Sequence, residues 1–374
     1  MSDPAIAVVL TARSSWAKLE PVCRALVDRG LSPQIVACGS ALLERYGRVV
    51  DVVRDQGYTV AAECWTVHEG STLVTTAKET GALVLDLTAV LWNMRPRLVV
   101  VCADRHEVLA AATAASYLHL PLLHLQGGER SGSIDDKVRD AVTALADYHC
   151  VCTSRARYRV YGLGGVWGQI WQTGCPSIDL SAAASADEPV TPDELGGTGP
   201  RISTARPFVL CLQHPVSTQV DGSATQMATT LNALACVPLP RLIFWPAEEA
   251  GADAMSKAIR AHLVAHQGQT YHTKVNLPPR RWLRLVTQAA CLVGNSSTGI
   301  RECSFLGTPV VNIGTRQDGR ERAANVVDVP HDATVILDAV TTQIAHGRYP
   351  SSTLYGVGVA GPATAAVIAE VTHV

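Results

Sequence analysis

The sequence has little excess charge, no long apolar run and no paired cysteine spacing. Its 374 residues include 31 Lys and Arg against 33 Asp and Glu, giving a formal net charge of -2. Such a balance gives no electrostatic basis for binding nucleic acid or an anionic membrane. We therefore expect a small, neutral-to-anionic metabolite as the partner, with no nucleic acid and no membrane.

The 11 cysteines are odd in number and scattered, without a CxxC pair. Most of them lie in apolar runs, where a reduced Cys behaves as a small hydrophobe. This distribution favours neither a disulfide framework nor a zinc site. The sequence predicts no metal and no cofactor.

The beginning of the chain lacks the basic segment of a signal peptide. Its apolar run, residues 6–12, is short and β-branched, which is typical of a first buried strand. No apolar stretch is long enough for a transmembrane span. We expect a cytoplasmic location.

Short apolar runs without alternation recur along the chain, separated by segments long enough for helices. This pattern is typical of a parallel sheet buried on both faces. The pattern restarts after residue 205, and a chain of this length favours two domains. The runs cover residues 6–12, 34–39, 98–104, 120–126, 149–154, 208–214, 242–247, 291–297 and 309–314.

Residues 181–206, between the two sets of runs, are rich in Ala, Ser, Pro and Gly. This composition predicts a linker. We therefore predict an α/β chain with two Rossmann-like doubly wound domains, residues 1–180 and 207–374, facing each other across a cleft. The last helix is expected to pack back on the N-terminal domain.

Polar motifs follow the predicted strands, which is where ligands bind in open α/β sheets. The most informative motif is the turn GNSSTG at 294–299, between an apolar run and a predicted helix. Backbone N–H groups, serine hydroxyls and the helix dipole at such a turn favour a phosphate. The alternative is an ordinary strand-to-helix turn with Ser297 or Thr298 as N-cap.

Nearby charged side chains can complete an anion site. Arg301 and Arg316 can neutralise a diphosphate, and Glu302 can accept hydrogen bonds from a ribose. His214, at another strand end, can donate to a phosphate or serve as an acid. The alternatives are a surface charge for Arg316, a first-turn acid for Glu302 and a structural role for His214.

The first half of the chain supplies carboxylates at or just after strand ends. Asp104, Glu129, Asp135 and Asp136 fall within 33 positions, which predicts a general acid/base cluster. Each could instead cap a helix, and Asp135 in particular could be the N-cap of the helix that follows. Two arginines could position substrate or pair with these acids, namely Arg105 and Arg139.

Six segments together resemble the hydrolysing UDP-N-acetylglucosamine 2-epimerases of the sialic-acid-pathway type. They occur in order, at the spacing of that family, over nearly the whole chain. The segments are ADRHE at 103–107, HLQGGERSGSIDDKVRDAVT at 124–143, TGCPSID at 173–179, QHPVST at 213–218, VGNSSTGIRECSFLGTPVVNIGTRQDGR at 293–320 and NVV at 325–327.

The resemblance implies the two-domain GT-B architecture, a UDP-sugar substrate and a homo-oligomer, either dimer or tetramer. In that family UDP-GlcNAc loses UDP by elimination across C1 and C2, and water adds to the resulting 2-acetamidoglucal to give N-acetylmannosamine. By position, Asp104 and Asp135 match family carboxylates implicated in this chemistry. The catalytic candidates are Asp104, Gln126, Glu129, Asp135, Asp136 and His214. The candidate UDP contacts are Arg13, Arg105, His214, Ser296, Ser297, Gly299, Arg301, Glu302 and Arg316.

The sequence departs from the family pattern in three segments. Gln126 stands where the family commonly has Glu in HxEGGE, Asp140 follows Arg139 where the family reads RH, and residues 13–16 read RSSW in place of RADY. Gln cannot shuttle a proton, so one expected acid/base group is missing. Either Glu129 or Asp136 would take its role, or the chemistry differs. The changes after Arg13 could alter the nucleotide or sugar preference.

Other functions fit the same scaffold. One alternative is a glycosyltransferase of GT-B fold, and another is a UDP-sugar-binding homologue with altered or lost catalysis, suggested by Gln126 and Asp140. A non-hydrolysing epimerase ranks lower, because the patterns GGE-x-SGSIDD and GTRQ-x-GR follow the hydrolysing branch.

Overall fold

In a computed structural model of the chain, each apolar run identified above forms a parallel strand. The structure describes residues 5–373 apart from 69–71, 133, 217 and 248, so Ser133 and Ser217 of the motifs lie outside the described residues. The chain divides into two units. Unit 1 comprises Met1–Glu129, Ile134–Asp179 and Tyr355–Val374, and unit 2 comprises Arg130–Ser133 and Leu180–Leu354.

Unit 1 contains a seven-stranded parallel sheet. Its strands are β1 (Ile6–Leu10), β2 (Pro33–Cys38), β3 (Thr59–Cys64), β4 (Leu98–Cys102), β5 (Leu122–Leu125), β6 (Tyr148–Val151) and β7 (Ile170–Gln172). Its helices before the final one are α1 (Arg13–Val27), α2 (Val49–Asp55), α3 (Leu73–Met94), α4 (His106–Tyr117), α5 (Asp135–Leu145) and α6 (Ser154–Gly162). Helix α7 (Pro176–Ser185) begins in unit 1 and ends in unit 2. The strand order is β3-β2-β1-β4-β5-β6-β7.

Alternate residues of β1 enter two different cores. Ile6, Val8 and Leu10 belong to one apolar cluster, whereas Ala7 and Val9 belong to another. Successive side chains of a strand point to opposite faces, so the sheet is covered by helices on both faces. This explains why the strands read as continuous apolar runs.

Unit 2 repeats the same plan with a six-stranded parallel sheet. Its strands are β8 (Val209–Leu212), β9 (Arg241–Phe244), β10 (Tyr271–Lys274), β11 (Cys291–Gly294), β12 (Val310–Ile313) and β13 (Val326–Val329). Its helices are α8 (Pro192–Leu195), α9 (Ser223–Ala235), α10 (Ala252–Ala265), α11 (Pro279–Gln288), α12 (Ser297–Ile300), α13 (Glu302–Leu306) and α14 (Ala333–His346). The strand order is β10-β9-β8-β11-β12-β13. The predicted α/β class with two Rossmann-like doubly wound domains is confirmed.

The segment expected to be a linker contributes to the core of unit 2. Val190, Leu195 and Ile202 are at most 2% exposed and pack in one cluster with Phe208. The Gln288 side chain accepts from the Val190 N–H at 2.8 Å and donates to the Val190 carbonyl at 3.3 Å. Few large apolar side chains occur in this segment, but those present are used for packing.

The final helix, α15 (Ala360–Thr372), belongs to unit 1. The Asp179 carboxylate accepts hydrogen bonds from the N–H groups of Ala360 at 2.9 Å and Gly361 at 2.7 Å, at the start of this helix. A Cβ at Gly361 would lie 2.5 Å from the Pro21 carbonyl oxygen of α1. Glycine therefore permits the close approach of α15 to α1.

Within the part of the chain that the structure describes, no helix combines the length and apolar character needed to cross a membrane. All eleven cysteines are free thiols, and all except Cys236 are buried. They act as small apolar side chains in the two units.

Candidate functional site

The strand order of unit 2 places its polar motifs at one edge of the sheet. β8 and β11 are neighbours at the point where the order reverses, and ligands of open α/β sheets bind beyond the carboxyl ends there. Gln213 and His214 follow β8, Asn295 and Ser296 follow β11, and Arg316 follows β12.

Gly294 allows β8 and β11 to approach closely at this point. Its φ is +136°, and a Cβ there would lie 2.1 Å from the Leu212 carbonyl oxygen. No other residue type fits this backbone conformation without moving the strands. The turn that follows is therefore held tightly against the end of β8.

The turn after β11 differs in detail from the expectation. Ser296 is the N-cap, with its hydroxyl accepting from the Thr298 N–H at 3.3 Å, so the predicted caps Ser297 and Thr298 are wrong by one or two residues. The expected helix is interrupted at Arg301, which separates α12 from α13. Ser297 therefore lies in the first turn, where backbone N–H groups have no helical partner.

The backbone groups of this turn divide into paired and unpaired ones. Gly299 donates its N–H to the Ser296 carbonyl at 3.1 Å, and a Cβ at Gly299 would lie 2.8 Å from Val310. Gly299 is thus a packing glycine between helix and strand. Among the described residues, the N–H groups of Ser296 and Ser297 form no such bond. These two groups are free to bind an anion.

The charged residues that follow are placed differently from one another. Arg301 is 1% exposed, and its side chain lies inside unit 2. Glu302 is also buried, and its Oε2 atom has no hydrogen-bond partner within the described residues. A buried carboxylate oxygen without a donor is costly, so a ligand hydroxyl would stabilise Glu302.

Arg316 is half-buried beside the turn. Its Nη2 atom forms an ion pair with Glu249 Oε1 at 2.8 Å, and Nη1 donates to the Asn295 carbonyl at 3.4 Å. The neighbouring Gln317 donates its Nε2 to the same carbonyl at 2.9 Å. Arg316 is therefore anchored at the end of β11 and is not a freely solvated surface charge.

His214 lies at the end of β8 with one ring nitrogen engaged. The Ala247 N–H donates to its Nδ1 atom at 3.1 Å, so the ring proton resides on Nε2. Burial, together with the nearby Arg316 cation, lowers the pKa of His214 to about 3. The imidazole is neutral at physiological pH and can donate one hydrogen bond through Nε2.

Unit 1 has a corresponding switch point between β1 and β4. Arg13 begins α1 directly after β1, and Asp104 and Arg105 follow β4. Burial lowers the pKa of Arg13 to about 10, because desolvation disfavours the cation. Its guanidinium forms no hydrogen bond or ion pair among the described residues, so an anion would stabilise it.

Two of the four carboxylates in the predicted cluster lie against Arg139, whose side chain is 1% exposed. Arg139 forms ion pairs with Asp104 and, at 2.9 Å, with Asp136. It also donates to the Glu129 carbonyl at 2.8 Å. The structure thus brings Asp104, Asp136 and the backbone of Glu129 together on one buried cation. For Arg139, the interpretation as a partner of these acids is confirmed.

Asp135 is the first residue of α5 and is half-buried. The N-cap position belongs to Ile134, so the alternative that Asp135 caps the helix is wrong by one residue. A carboxylate in the first turn of a helix is favoured by the helix dipole.

Arg105 pairs with Glu107, which belongs to the motif at 103–107 but is not among the candidate carboxylates. Its Nε and Nη2 atoms donate to both carboxylate oxygens of Glu107, at 2.9 to 3.2 Å. Burial acts to raise the pKa of Glu107, but Arg105 and His106 outweigh it and hold that pKa below its ordinary value. A Cβ at Gly39 would lie 2.3 Å from Glu107 Oε1, so glycine is needed there.

The departures from the family pattern each have a local partner in unit 1. Gln126, with φ of +65°, donates its Nε2 to the Cys175 sulfur at 3.0 Å, and Ser177 Oγ lies 2.9 Å from the same sulfur. Asp140 forms an ion pair with Arg159 at 2.5 Å. Trp16 is buried and donates its indole N–H to Gln56 at 3.0 Å, so it belongs to the core.

The sequence did not single out several residues of these two sites. Asn295 contacts His214 and Glu249 contacts Arg316 in unit 2, where Gln317 donates to the Asn295 carbonyl, and Glu107 pairs with Arg105 in unit 1. Asn295 and Gln317 lie inside the motifs GNSS and GTRQ, next to candidate residues, and this position could have indicated them. In the described part of the chain, no three His, Cys, Asp or Glu side chains are grouped to hold a metal ion.

Comparison with known proteins gives consistent matches over almost the whole chain. A family model described as UDP-N-acetylglucosamine 2-epimerase matches residues 24–369. The chain is 28% identical over 324 residues to the UDP-N,N'-diacetylbacillosamine 2-epimerase (hydrolyzing) of Legionella pneumophila, covering 87% of this chain and 84% of the relative. It is 26% identical over 333 residues to the GDP/UDP-N,N'-diacetylbacillosamine 2-epimerase (hydrolyzing) of Campylobacter jejuni, covering 88% and 85%.

Among solved structures, the chain is similar to the UDP-GlcNAc 2-epimerase of Neisseria meningitidis bound to UDP-GlcNAc. The TM-score is 0.83 at 16% identity, covering 98% of this chain and 100% of the other. At this identity the likeness shows the shared fold. Two Rossmann-like units are the architecture that the sequence resemblance implied.

Proposed function

Because this chain belongs to the UDP-N-acetylglucosamine 2-epimerase family, we propose that it is a hydrolysing 2-epimerase. Its substrate is UDP-GlcNAc or a close NDP-hexosamine, and its products are UDP and N-acetylmannosamine or the corresponding 2-epimer. The proposal rests on the groups at the ends of β8, β11 and β12. The N–H groups of Ser296 and Ser297 and the Nε2–H group of His214 are donors without a partner among the described residues, and Arg316 is a cation beside them. This combination suits a nucleoside diphosphate.

The proposed reaction has two steps, elimination and addition of water, and neither step changes the oxidation level of the substrate overall or requires a cofactor. A carboxylate takes the C2 proton, the C1–O bond breaks with its electron pair leaving on the diphosphate, and a C1–C2 double bond forms. Water then adds its hydroxyl to C1, and a proton is delivered to C2 on the opposite face. The net change is hydrolysis of the nucleotide bond with inversion at C2.

In unit 2, the proposed role of the strand ends is to hold the nucleotide. The N–H groups of Ser296 and Ser297, with Arg316, bind the diphosphate and stabilise the negative charge that develops as it leaves. The neutral His214 donates through Nε2 to a phosphate oxygen. Glu302 Oε2 accepts from a ribose hydroxyl, which satisfies its missing hydrogen bond.

In unit 1, the proposed role is proton transfer at the sugar. Asp104 is the base for the C2 proton, with its carboxylate oriented by Arg139. Asp135 delivers the second proton, and Glu129 and Asp136 complete the polar surroundings. Arg13 adds a positive charge for the diphosphate, because its guanidinium has no counter-ion among the described residues.

The sugar substituents are open to a second candidate within this reaction. Two relatives bear names that specify UDP-N,N'-diacetylbacillosamine, a sugar with a second acetamido group, as the substrate. We therefore propose this diacetamido nucleotide sugar as an alternative substrate to UDP-GlcNAc. A homo-oligomeric state and a cytoplasmic location stay predictions.

Incubation with each nucleotide sugar in D2O, followed by NMR of the products, tests the proposal. The expected result is free UDP and a free 2-epimerised sugar carrying deuterium at C2. Release of UDP only with an added acceptor and without deuterium would instead favour a glycosyltransferase. A UDP-linked epimer would favour the non-hydrolysing reaction, and UDP binding without turnover would favour a binding homologue.

A further inference from the structure

Asn295 holds the backbone of His214 from two sides. Its Oδ1 atom accepts from the His214 N–H at 2.7 Å, and its Nδ2 atom donates to the His214 carbonyl at 2.8 Å. The last ladder pair before them joins Leu212 of β8 to Gly294 of β11. The Asn295 side chain therefore extends the pairing of the two strands beyond their ends, with no exposed surface of its own.

This pair of bonds fixes which end of the Asn295 amide is which. A backbone N–H can only donate and a carbonyl can only accept, so Oδ1 and Nδ2 cannot be exchanged without losing both bonds. In an Asn295→Asp variant, the bond from the His214 N–H would remain, whereas the bond to the His214 carbonyl would be lost because a carboxylate has no N–H group.

His214 is held at a third point by its ring. The Ala247 N–H donates to Nδ1 at 3.1 Å, while Nε2 has no partner among the described residues. Backbone N–H, backbone carbonyl and Nδ1 are thus all engaged. In this half-buried residue, Nε2–H is the hydrogen-bonding group that remains for a ligand.

Asn295 also connects this arrangement to Arg316. Its backbone carbonyl accepts from Gln317 Nε2 at 2.9 Å and from Arg316 Nη1 at 3.4 Å. One buried residue therefore links the segments that follow β8, β11 and β12. Both of these bonds end on the backbone carbonyl, so they remain when only the Asn295 side chain is substituted.

We propose that Asn295 is a positioning residue that presents His214, as a donor through Nε2, to the diphosphate of the bound nucleotide. This inference rests on the proposed function. Burial and Arg316 keep the imidazole neutral, so Nε2 donates a hydrogen bond and does not deliver a proton from an imidazolium. Asn295 acts through His214 and does not itself contact the nucleotide.

Binding and kinetic measurements on the full chain test the first part of this inference. We expect Asn295→Ala and Asn295→Asp each to raise the dissociation constant for UDP by about 10- to 100-fold, the range expected for losing the hydrogen bond from His214 Nε2 to a charged ligand. Asn325→Ala is the matched control, because Asn325 is equally buried in unit 2 and donates to the Thr308 carbonyl at 2.9 Å. It should lower stability without changing the dissociation constant.

A double-mutant cycle separates positioning from a general structural effect. If Asn295 acts through His214, adding Asn295→Ala to His214→Ala should change the dissociation constant for UDP by less than threefold. Fully additive losses would overturn the proposal. Unchanged UDP binding by a folded Asn295→Ala variant would do the same while leaving the proposed function intact.

NMR of the free protein with 15N-labelled histidine tests the tautomer independently of activity. We expect His214 to be neutral and protonated on Nε2 at pH 7, and Asn295→Ala to shift or broaden its ring signals. A signal from Nδ1–H or from an imidazolium would overturn the inference. If the wild-type protein shows the expected tautomer but binds no UDP, the proposed function fails and the hold on His214 stands.

Discussion

Arg316 and Glu249 form an ion pair beside the end of β11, with 2.8 Å between Nη2 and Oε1. Arg316 is also the cation proposed to bind the diphosphate. A phosphate that contacts this guanidinium competes with the Glu249 carboxylate or is repelled by it. Glu249 therefore sets how much of the Arg316 charge is available to the nucleotide.

The substitution Glu249→Gln should tighten UDP binding. Removing the carboxylate removes a repulsive charge worth about 1 kcal/mol at a partly exposed site, so we expect the dissociation constant to fall about fivefold. Arg316→Ala should raise it about 10- to 100-fold. Calorimetric titration at two salt concentrations measures both, with the Glu249→Gln gain shrinking at high salt.

Asp253→Asn is the control for this experiment, because Asp253 is an exposed carboxylate on α10 of the same unit. It should leave the dissociation constant unchanged. Weaker binding by Glu249→Gln would mean that Glu249 orients Arg316 for the phosphate and does not compete with the phosphate for the guanidinium.

The substitution Asp104→Asn tests the proposed base. An amide cannot accept the C2 proton, so kcat should fall about 10²- to 10⁴-fold, the usual contribution of a positioned acid or base. UDP affinity should stay within threefold, because Asp104 lies in unit 1 and pairs with Arg139. Deuterium incorporation at C2 should fall in parallel with UDP release. Asp51→Asn is the control, because it removes an exposed ion-paired carboxylate of the same unit. It should change neither kcat nor deuterium incorporation.

The strands at the centre of each sheet could be predicted, whereas those at the edges could not. All nine apolar runs are strands because central parallel strands are buried on both faces. β3 and β13 lie at sheet edges and are partly exposed, so their side chains do not form apolar runs. β7 is only three residues long, and β10 reads YHTK.

The polar motifs could be located in the sequence because they follow the apolar runs of the strands. Which of their side chains contact one another could not be predicted. Gln126 and Cys175 are 49 residues apart, and His214 and Asn295 are 81 apart. Such contacts depend on which strands become neighbours, and strand order is set by the packing of the whole unit. For the same reason, Arg301 gave no sign in the sequence that it would be buried.

Two buried histidines on neighbouring strands make unit 1 sensitive to acid. His124 on β5 pairs in register with His149 on β6, and both side chains are at most 1% exposed. Burial lowers the pKa of His124 to about 4, and burial followed by the neighbouring His124 lowers that of His149 to about 4. In the unfolded chain each would take up a proton near its ordinary pKa of about 6.5.

The sign of the resulting pH dependence follows from proton uptake. Below about pH 6.5 the unfolded state binds more protons than the folded state, so stability is lost as pH falls toward 4, by about 1.4 kcal/mol per pH unit for each histidine. His149→Gln should halve this slope between pH 6 and 4.5 in urea unfolding. The exposed His346→Gln should leave it unchanged, and an unaltered slope in His149→Gln would contradict the assignment.

Gln126 is where the chain departs most clearly from the family pattern, and its surroundings decide what Gln126→Glu would do. The Gln126 amide is 1% exposed and donates to the Cys175 sulfur at 3.0 Å. A carboxylate at this point would lose that bond unless the Cys175 thiol donates to it instead. Burial disfavours the charged carboxylate, so the variant should be less stable by about 1–3 kcal/mol.

Against that cost, Gln126→Glu supplies a proton carrier at a position where the family commonly has one. We expect kcat for UDP release to rise severalfold, and its pH profile to gain an inflection that the wild type lacks, because a carboxyl group titrates and an amide does not. Cys175→Ala is the control, since it removes the partner of Gln126 without adding an acid. A folded Gln126→Glu variant with unchanged kcat would mean that Glu129 or Asp136 already carries this proton, and that Gln126 serves mainly to fix the loop against Cys175.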